Sequence, residues 1–279
     1  MAARCLAKGS APWLGLQGRY SARDAREVPR YLPAGILKGK TLYWLDNAFK
    51  AGRVPNGSVQ YHGYLGQFPF RENQGRFEVL FEAEGVGLHY GDGWPELQQI
   101  KGEVHFDGPG MWIAARSGKV FDASLGETAV SVADFAEPRL LIKGGAKLPA
   151  ADGLRFLRES PLSKHTGKML ETMQAGGDAA LALQLAIPLS AKLQKSLPLN
   201  IQGQLDLNGS ELEIHQGIRL KKLNGSLHFT QASFSAYQLQ GELFEKPVSL
   251  VVVTEEGDKP QVVVAARGRG DIASLRQAF

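Results

Sequence analysis

The ten residues Leu97 to Phe106, LQQIKGEVHF, return as Leu220 to Phe229, LKKLNGSLHF. Leu97 and Leu220, Ile100 and Leu223, Gly102 and Gly225, Val104 and Leu227, His105 and His228, and Phe106 and Phe229 each stand 123 positions apart. The register continues without a gap through Gly118 and Gly241, Val120 and Leu243, and Phe121 and Phe244. Apolar side chains and glycines that keep their places over more than one hairpin point to a duplicated β unit. Upstream the offset is 124: the helix-like Thr41 to Lys50 ends in Ala51-Gly52, and the helix-like Lys164 to Gln174 ends in Ala175-Gly176. Alternating strand follows each, VQYHGYL from Val59 and ALALQLAI from Ala180. The expected unit is a helix and a long β meander of about 123 residues, present twice. It divides the chain into the end of a preceding unit with a charged connector at 1–30, a first repeat at 31–150 and a second at 151–279.

Working outward, Leu42, Leu45 and Phe49 share one helical face in TLYWLDNAFK, and Ala51-Gly52 is the expected stop. From Val59 the period becomes two, with Val59, Tyr61 and Leu65 on one side, then Phe77, Val79 and Phe81 after the FPF kink at Phe68 to Phe70. Asp152 to Arg158 and Lys164 to Gln174 read as a second helical stretch broken at Ser160-Pro161. The cleanest alternation comes next: Leu181, Leu183, Leu185, Ile187 and Leu189, then Leu199, Ile201, Leu205 and Leu207 in the same phase. Asn56-Gly57-Ser58, Asn208-Gly209-Ser210 and Asn224-Gly225-Ser226 fit the glycosylation pattern, but Asn-Gly is first a tight-turn signal. Period-two patterning gives about sixteen strands.

Composition removes several classes of function. Of 279 residues 43% are apolar, enough for a sizeable buried surface. The net charge of +4 lies wholly within residues 1–30, which hold six basic and two acidic side chains. The rest of the chain is balanced and lacks the basic stripe that nucleic-acid binding requires. Cys5 is the single cysteine, so no internal disulfide forms. No apolar run is long enough for a signal peptide or a membrane span. His62, His105 and His228 fall on the polar side of strands, and the equivalence of the last two argues for a repeat position over a unique catalytic centre. His89, His165 and His215 match no metal-ligand spacing, so neither a metal nor a cofactor is expected. Ala34, four residues, then Gly39-Lys40-Thr41 fits a relaxed phosphate-binding loop, but two prolines occupy the preceding segment and the βαβ alternation of that fold is missing.

Strict alternation makes a sheet with one apolar and one polar face, and two short helices cannot cover sixteen strands. Glycines inside strands, Gly63, Gly102, Gly203, Gly225 and Gly241, favour bending. The expected fold is therefore mainly β: an elongated, curled antiparallel sheet with a few short helices and an apolar concave side, or the same curl closed and filled by its own side chains.

Tyr31-Leu32-Pro33, Trp44-Leu45, FPF at Phe68, Gly93-Trp94-Pro95, Ser160-Pro161-Leu162 and Ile187-Pro188-Leu189 follow one another among these strands. In that order they resemble the central region of the YhdP family, AsmA-like proteins related to TamB. The resemblance runs from about Tyr31 to the end of the chain and rests on order and spacing. It implies a β-taco groove in a long periplasmic protein, anchored in the inner membrane by a helix that these residues do not include, which conducts phospholipid toward the outer membrane. The partners it implies are phospholipid acyl chains, with membranes at the two ends of the full-length protein; nucleic acid is not expected. The candidate groove residues are the in-phase positions Val59, Tyr61, Phe77, Val79, Phe81, Val104, Phe106, Leu181, Leu183, Leu185, Ile187, Leu205, Leu207, Leu227 and Phe229. The alternative for each is ordinary core, and for the whole, an envelope scaffold without cargo.

Overall fold

In the computed structural model, residues 2–6, 12–27, 47–163, 169–215, 218–255, 257 and 261–268 are described. The phosphate-loop pattern at 34–41, most of Thr41 to Lys50 and residues 164–168 lie outside them. The fifteen strands are β1 (Ala2–Leu6), β2 (Trp13–Ala22), β3 (Phe49–Tyr64), β4 (Arg76–Leu88), β5 (Leu97–Asp107), β6 (Gly110–Val120), β7 (Ala123–Leu125), β8 (Thr128–Val132), β9 (Arg139–Pro149), β10 (Gln174–Pro188), β11 (Asn200–His215), β12 (Ile218–Thr230), β13 (Phe234–Leu243), β14 (Lys246–Glu255) and β15 (Gln261–Gly268). Short helices among the described residues include α1 (Ala150–Glu159), α2 (Met169–Thr172) and α3 (Ala191–Ser196).

All strands belong to one antiparallel meander in sequence order, with β7 and β8 sharing one layer between β6 and β9. Among the described residues β1 and β15 stand at opposite ends of this order and do not pair with each other. At ~4.8 Å per strand its fourteen layers run about 60 Å. The strand ends form two long rims. One carries α1 and α2 (the helix rim); the other carries the 3₁₀ turn Leu65–Gln67, the FPF segment and α3 (the FPF rim).

Among the described residues the register shifts in eight strand pairs, and in most of them a shift sits toward the helix rim. Examples are Ala83/Val86 in β4, Gln98/Lys101 in β5, Asn208/Ser210 in β11, Lys221/Asn224 in β12 and Ala236/Leu239 in β13. A bulge bends its strand and sharpens its twist, so a row of bulges folds the sheet along a crease parallel to its long axis. Each bulge also switches the side-chain phase. In β4 the inward set passes from Phe81 and Ala83 to Val86 across Gly85 (φ +62), and in β11 from Leu205 and Leu207 to Ser210 and Leu212 across Gly209 (φ +64). The apolar side thus stays inward on both sides of the crease. With no second sheet present, side chains can reach near-complete burial only because this face curls over itself: Leu223 and Leu250 are 3% and 4% exposed. Leu220, Leu223, Ala236, Leu239, Val248 and Leu250 form the core there.

Two pairs of positions 123 apart share an unusual backbone conformation. Gln99 and Lys222 both adopt left-handed φ, as do Phe121 and Phe244 in the following turns. Gly118 lies against Ile100 and Gly241 against Leu223, the same contact in each copy.

Four expectations change. Asn47 and Ala48 are helical but Phe49 already begins β3 opposite Leu88, so no helix reaches Lys50. Gln174 likewise opens β10 and does not close a helix. None of the three Asn-Gly pairs is a turn: each lies inside a strand, two of them at bulges, where the Asn224 side-chain oxygen accepts from Gly209 N–H at 3.0 Å and Ser210 Oγ donates to the Asp178 carbonyl at 2.7 Å. Strands run longer than the period-two stretches of the sequence, since β4 continues through Gly85 from Arg76 to Leu88.

Candidate functional site

Cross-strand pairing places all fifteen candidate residues on one face. One ladder runs Val59, Val79, Phe106, Met111, Val132, Leu140, Ile187. The next runs Gly57, Phe81, Val104, Ile113, Val130, Ile142, Leu185, Ile201, with Tyr20 completing it on β2. Beyond β9 the face continues as Leu181, Leu205, Leu227, with Leu183 opposite Gly203, Gly203 opposite Phe229 and Ala179 opposite Leu207. These ladders lie across the strands and so run along the sheet's long axis, making a continuous apolar strip over nine layers.

Fourteen of the fifteen are partly buried, neither sealed in a core nor fully in water. Tyr61 is the exception at 6% exposure. Phe68, Phe70 and Phe77 surround it with ring centroids at 6.3, 5.3 and 6.2 Å, and burial pushes its phenol pKa up. That aromatic cluster is a plug at one corner of the FPF rim. Rings also lie flat across glycines of the partner strand: a Cβ on Gly203 would stand 2.1 Å from Phe229 Cζ, and one on Gly57 2.5 Å from Tyr20 Cζ. Glycine at these places lets a large ring lower itself onto the sheet and leaves the space above it free.

Sequence alternation missed the residues beyond the crease. Val54, Val86 and Leu220 are out of phase with the candidates of their strands yet lie on the same inner face, buried, as do Leu223 and Leu239. The signal was a broken period of two with glycine or Asn-Gly at the break. Leu220, Leu223 and Leu239 pack together in the core, whereas the partly exposed strip lies between the crease and the FPF rim.

The outer face is polar and stitched. Trp112 Nε1 donates to His105 Nδ1 at 2.8 Å, and His105 Nε2 lies 3.0 Å from Glu78 Oε1, while Arg76 donates to Glu78 Oε2 at 2.7 Å. Arg76 first, and His105 after it, hold the Glu78 carboxyl below its ordinary value. Both ring nitrogens of His105 are engaged, so this trio ties β4, β5 and β6 together. Asp206 accepts from Ser226 and Gln204 in the corresponding place on β11 and β12, and these bonds lower its pKa. Among the described residues no group of His, Cys, Asp and Glu could hold a metal ion, and no helix is long and apolar enough to cross a membrane.

A β meander with a bulge-made crease and one uninterrupted apolar strip defines a curled-sheet groove protein. The family model described as YhdP protein matches residues 2–279, and the chain belongs to the YhdP family. It is 27% identical over 259 residues to the intermembrane phospholipid transporter YhdP of Escherichia coli (strain K12), covering 92% of this chain and 20% of that protein. The chain thus spans about a fifth of the length of the relative it matches. No solved structure matches.

Proposed function

We propose that this chain is a section of a phospholipid conduit between the inner and outer membranes, in which acyl chains move along the inner face of the curled sheet. The observation that carries the reading is the pair of ladders that keep apolar side chains in line from β3 to β10. Bringing acyl chains into water costs about 0.8 kcal/mol per CH₂, so a lipid with two chains of ~16 carbons faces a barrier on the order of 20 kcal/mol. A continuous apolar strip lowers that barrier without any single tight site, which would slow sliding. Its half-exposed residues support the reading, because such surface gains by being covered. The name of the Escherichia coli relative supports phospholipid as the cargo.

The same reading places the chain in the periplasm as part of a membrane-anchored protein and assigns it no catalytic step. Fourteen of the candidates line the strip, and Tyr61 closes its corner with Phe68 and Phe70. The repeat units at 31–150 and 151–279 stand as part of this proposal, supported by the matched φ of Gln99 and Lys222.

Photo-crosslinking tests it. A photoreactive amino acid at Leu183 or Val79 should yield a phospholipid adduct after incubation with phosphatidylethanolamine and phosphatidylglycerol vesicles, and one at Gln184, on the outer face, should not. Absence of adduct at both inner positions would leave an envelope scaffold without cargo.

A further inference from the structure

Tyr61 carries the one polar side-chain atom among the fifteen candidates of the strip. The residue is 6% exposed, and its hydroxyl has no hydrogen-bond partner among the described residues. Phenylalanine would fill the same place among Phe68, Phe70 and Phe77 without stranding a donor and an acceptor, so packing alone does not account for the hydroxyl. The cover over it is itself strained. Phe70 holds a left-handed φ of 62°, unusual for a bulky side chain. Its ring fills the space that side chains on Gly63 and Gly75 would take, whose Cβ positions lie 2.7 and 2.5 Å from Phe70 Cε1. The segment 65–75 that presents Phe68 and Phe70 runs between β3 and β4, outside the strand ladder. Ring packing holds it, with Phe68 5.2 Å from Phe77 and Phe70 5.3 Å from Tyr61. The Arg71–Asp134 pair at 2.6 Å adds a link whose side chains stay 46% and 34% exposed. The segment can therefore lift from Tyr61 without breaking a ladder bond.

From the stranded hydroxyl and its strained cover we infer a lipid subsite at Tyr61: when Phe68 and Phe70 move aside, the phenol donates a hydrogen bond to an acyl-ester carbonyl of a glycerolipid in the strip. The inference rests on the conduit reading and adds one point of polar recognition. Chemistry selects the ester. Aromatic rings enclose the hydroxyl, and the Val59–Val79 pair continues the apolar surface beside it. A phosphate or an amine brought there would shed water that one neutral hydrogen bond does not replace. An ester carbonyl is neutral and accepts from a phenol. In a glycerolipid it stands at the head of each acyl chain, so it arrives with methylenes that the same valines and phenylalanines cover. A chain without that oxygen passes Tyr61 and gains nothing from the hydroxyl. One neutral hydrogen bond raises occupancy by about 5-fold, a preference small enough to let the lipid move on.

The test uses the full chain with a photoreactive amino acid at Val79, two residues from the Phe77 that pairs with Tyr61, or at Leu183 on the distant β10. Each is incubated with vesicles that hold equal amounts of two phosphatidylethanolamines of the same chain length, one with ester-linked chains and one with ether-linked chains, which lack the carbonyls. Mass spectrometry reads the ratio of ester to ether adduct, and the ratio at Leu183 corrects for unequal uptake. The ratio at Val79 should exceed that at Leu183 by about 2- to 10-fold. Tyr61→Phe should bring the two ratios together with the fold intact, and Tyr237→Phe, which removes the hydroxyl of a residue 69% exposed, should leave them apart. Equal ratios in the parent chain, a difference that survives Tyr61→Phe, or adducts at Leu183 alone would each overturn the subsite while the adducts still support the conduit. If neither lipid labels either position, the conduit reading itself fails, and the subsite with it.

Discussion

Gln99 and Lys222, 123 residues apart, share the same left-handed backbone, with φ of 53° and 50°. Each stands at the bulge that turns its strand over the crease, between Gln98 and Lys101 in β5 and between Lys221 and Asn224 in β12. A residue with a Cβ pays about 1–2 kcal/mol to remain there, and a β-branched one more. Gln99→Val should therefore destabilise the chain by about 1–2 kcal/mol, while Gln99→Gly stays within ~0.5 kcal/mol of the parent, since relief of strain and added unfolded-state freedom offset each other. Urea unfolding followed by circular dichroism measures both. Equal losses would mean that the side chain, and not the φ value, decides.

The Phe229 ring occupies the place a side chain on Gly203 would take. Gly203→Ala forces the ring to move and should cost about 1–3 kcal/mol, the usual range for overpacking. Phe229→Leu alone should cost ~1 kcal/mol. The double variant should be more stable than the sum of the two single losses predicts, because the shorter side chain no longer meets the new methyl group. Simple additivity would show that the ring is not held over the glycine in solution.

The Tyr61 hydroxyl is buried and has no hydrogen-bond partner among the described residues. Leaving such a group unpaired costs about 1–3 kcal/mol, so Tyr61→Phe should raise stability by about 1 kcal/mol. Tyr61→Ala should lower it by about 3–5 kcal/mol, through loss of the ring that Phe68 and Phe70 enclose. Thermal melts of the two variants decide. A destabilised Phe variant would reveal a partner for the hydroxyl.

Burial pushes the phenols of Tyr20 and Tyr90 up to about 12 from a usual value of 10.0. A folded-state pKa above the unfolded one means that the folded chain keeps a proton which the unfolded chain gives up. The associated stability is complete below pH ~10 and disappears as pH climbs toward ~12. Melting temperature should fall across that window, together with the rise of phenolate absorbance. Tyr20→Phe and Tyr90→Phe should each flatten the fall.

Acid acts through the opposite shift. The carboxyls of Glu78, Asp134 and Asp206 are held below their ordinary values, by Arg76, Arg71 and Ser226 respectively before any other contact. Their contribution is present above the ordinary carboxylate range and is lost as pH falls through it. Glu78→Gln should make the melting temperature less sensitive to pH on the acid side. An unchanged acid slope would mean that Glu78 is no better stabilised in the folded chain than in the unfolded one.

How much of this was legible in the sequence follows from two neighbours, Leu183 and Gln184. Their alternation, repeated from Leu181 to Ile187, states the inner face directly, since successive strand residues point to opposite sides. The crease was not legible, because a bulge changes phase without any change in composition. Leu220 and Leu223, three apart and so opposite in phase, share the inner face only because the left-handed Lys222 stands between them. Phe49 misled for a related reason: it completes a helical face with Leu42 and Leu45, yet pairing with Leu88 offers it a ladder of hydrogen bonds that a last helical turn would not. Asn208-Gly209 signalled a left-handed residue correctly, but the same conformation serves a bulge as well as a hairpin turn. The ion pair of Arg53 with Glu84 joins two strands and needed the strand register to be seen.

Among the described residues the two end strands do not pair with each other, and that leaves the reach of the fold unfixed by geometry. A closed barrel has a girth dictated by its strand number, whereas an open meander grows by one strand spacing for every strand added. A repeat carrying six layers, from β5 to the start of β12, lengthens it by about 30 Å. Copying units would therefore lengthen such a sheet with no redesign of its cross-section.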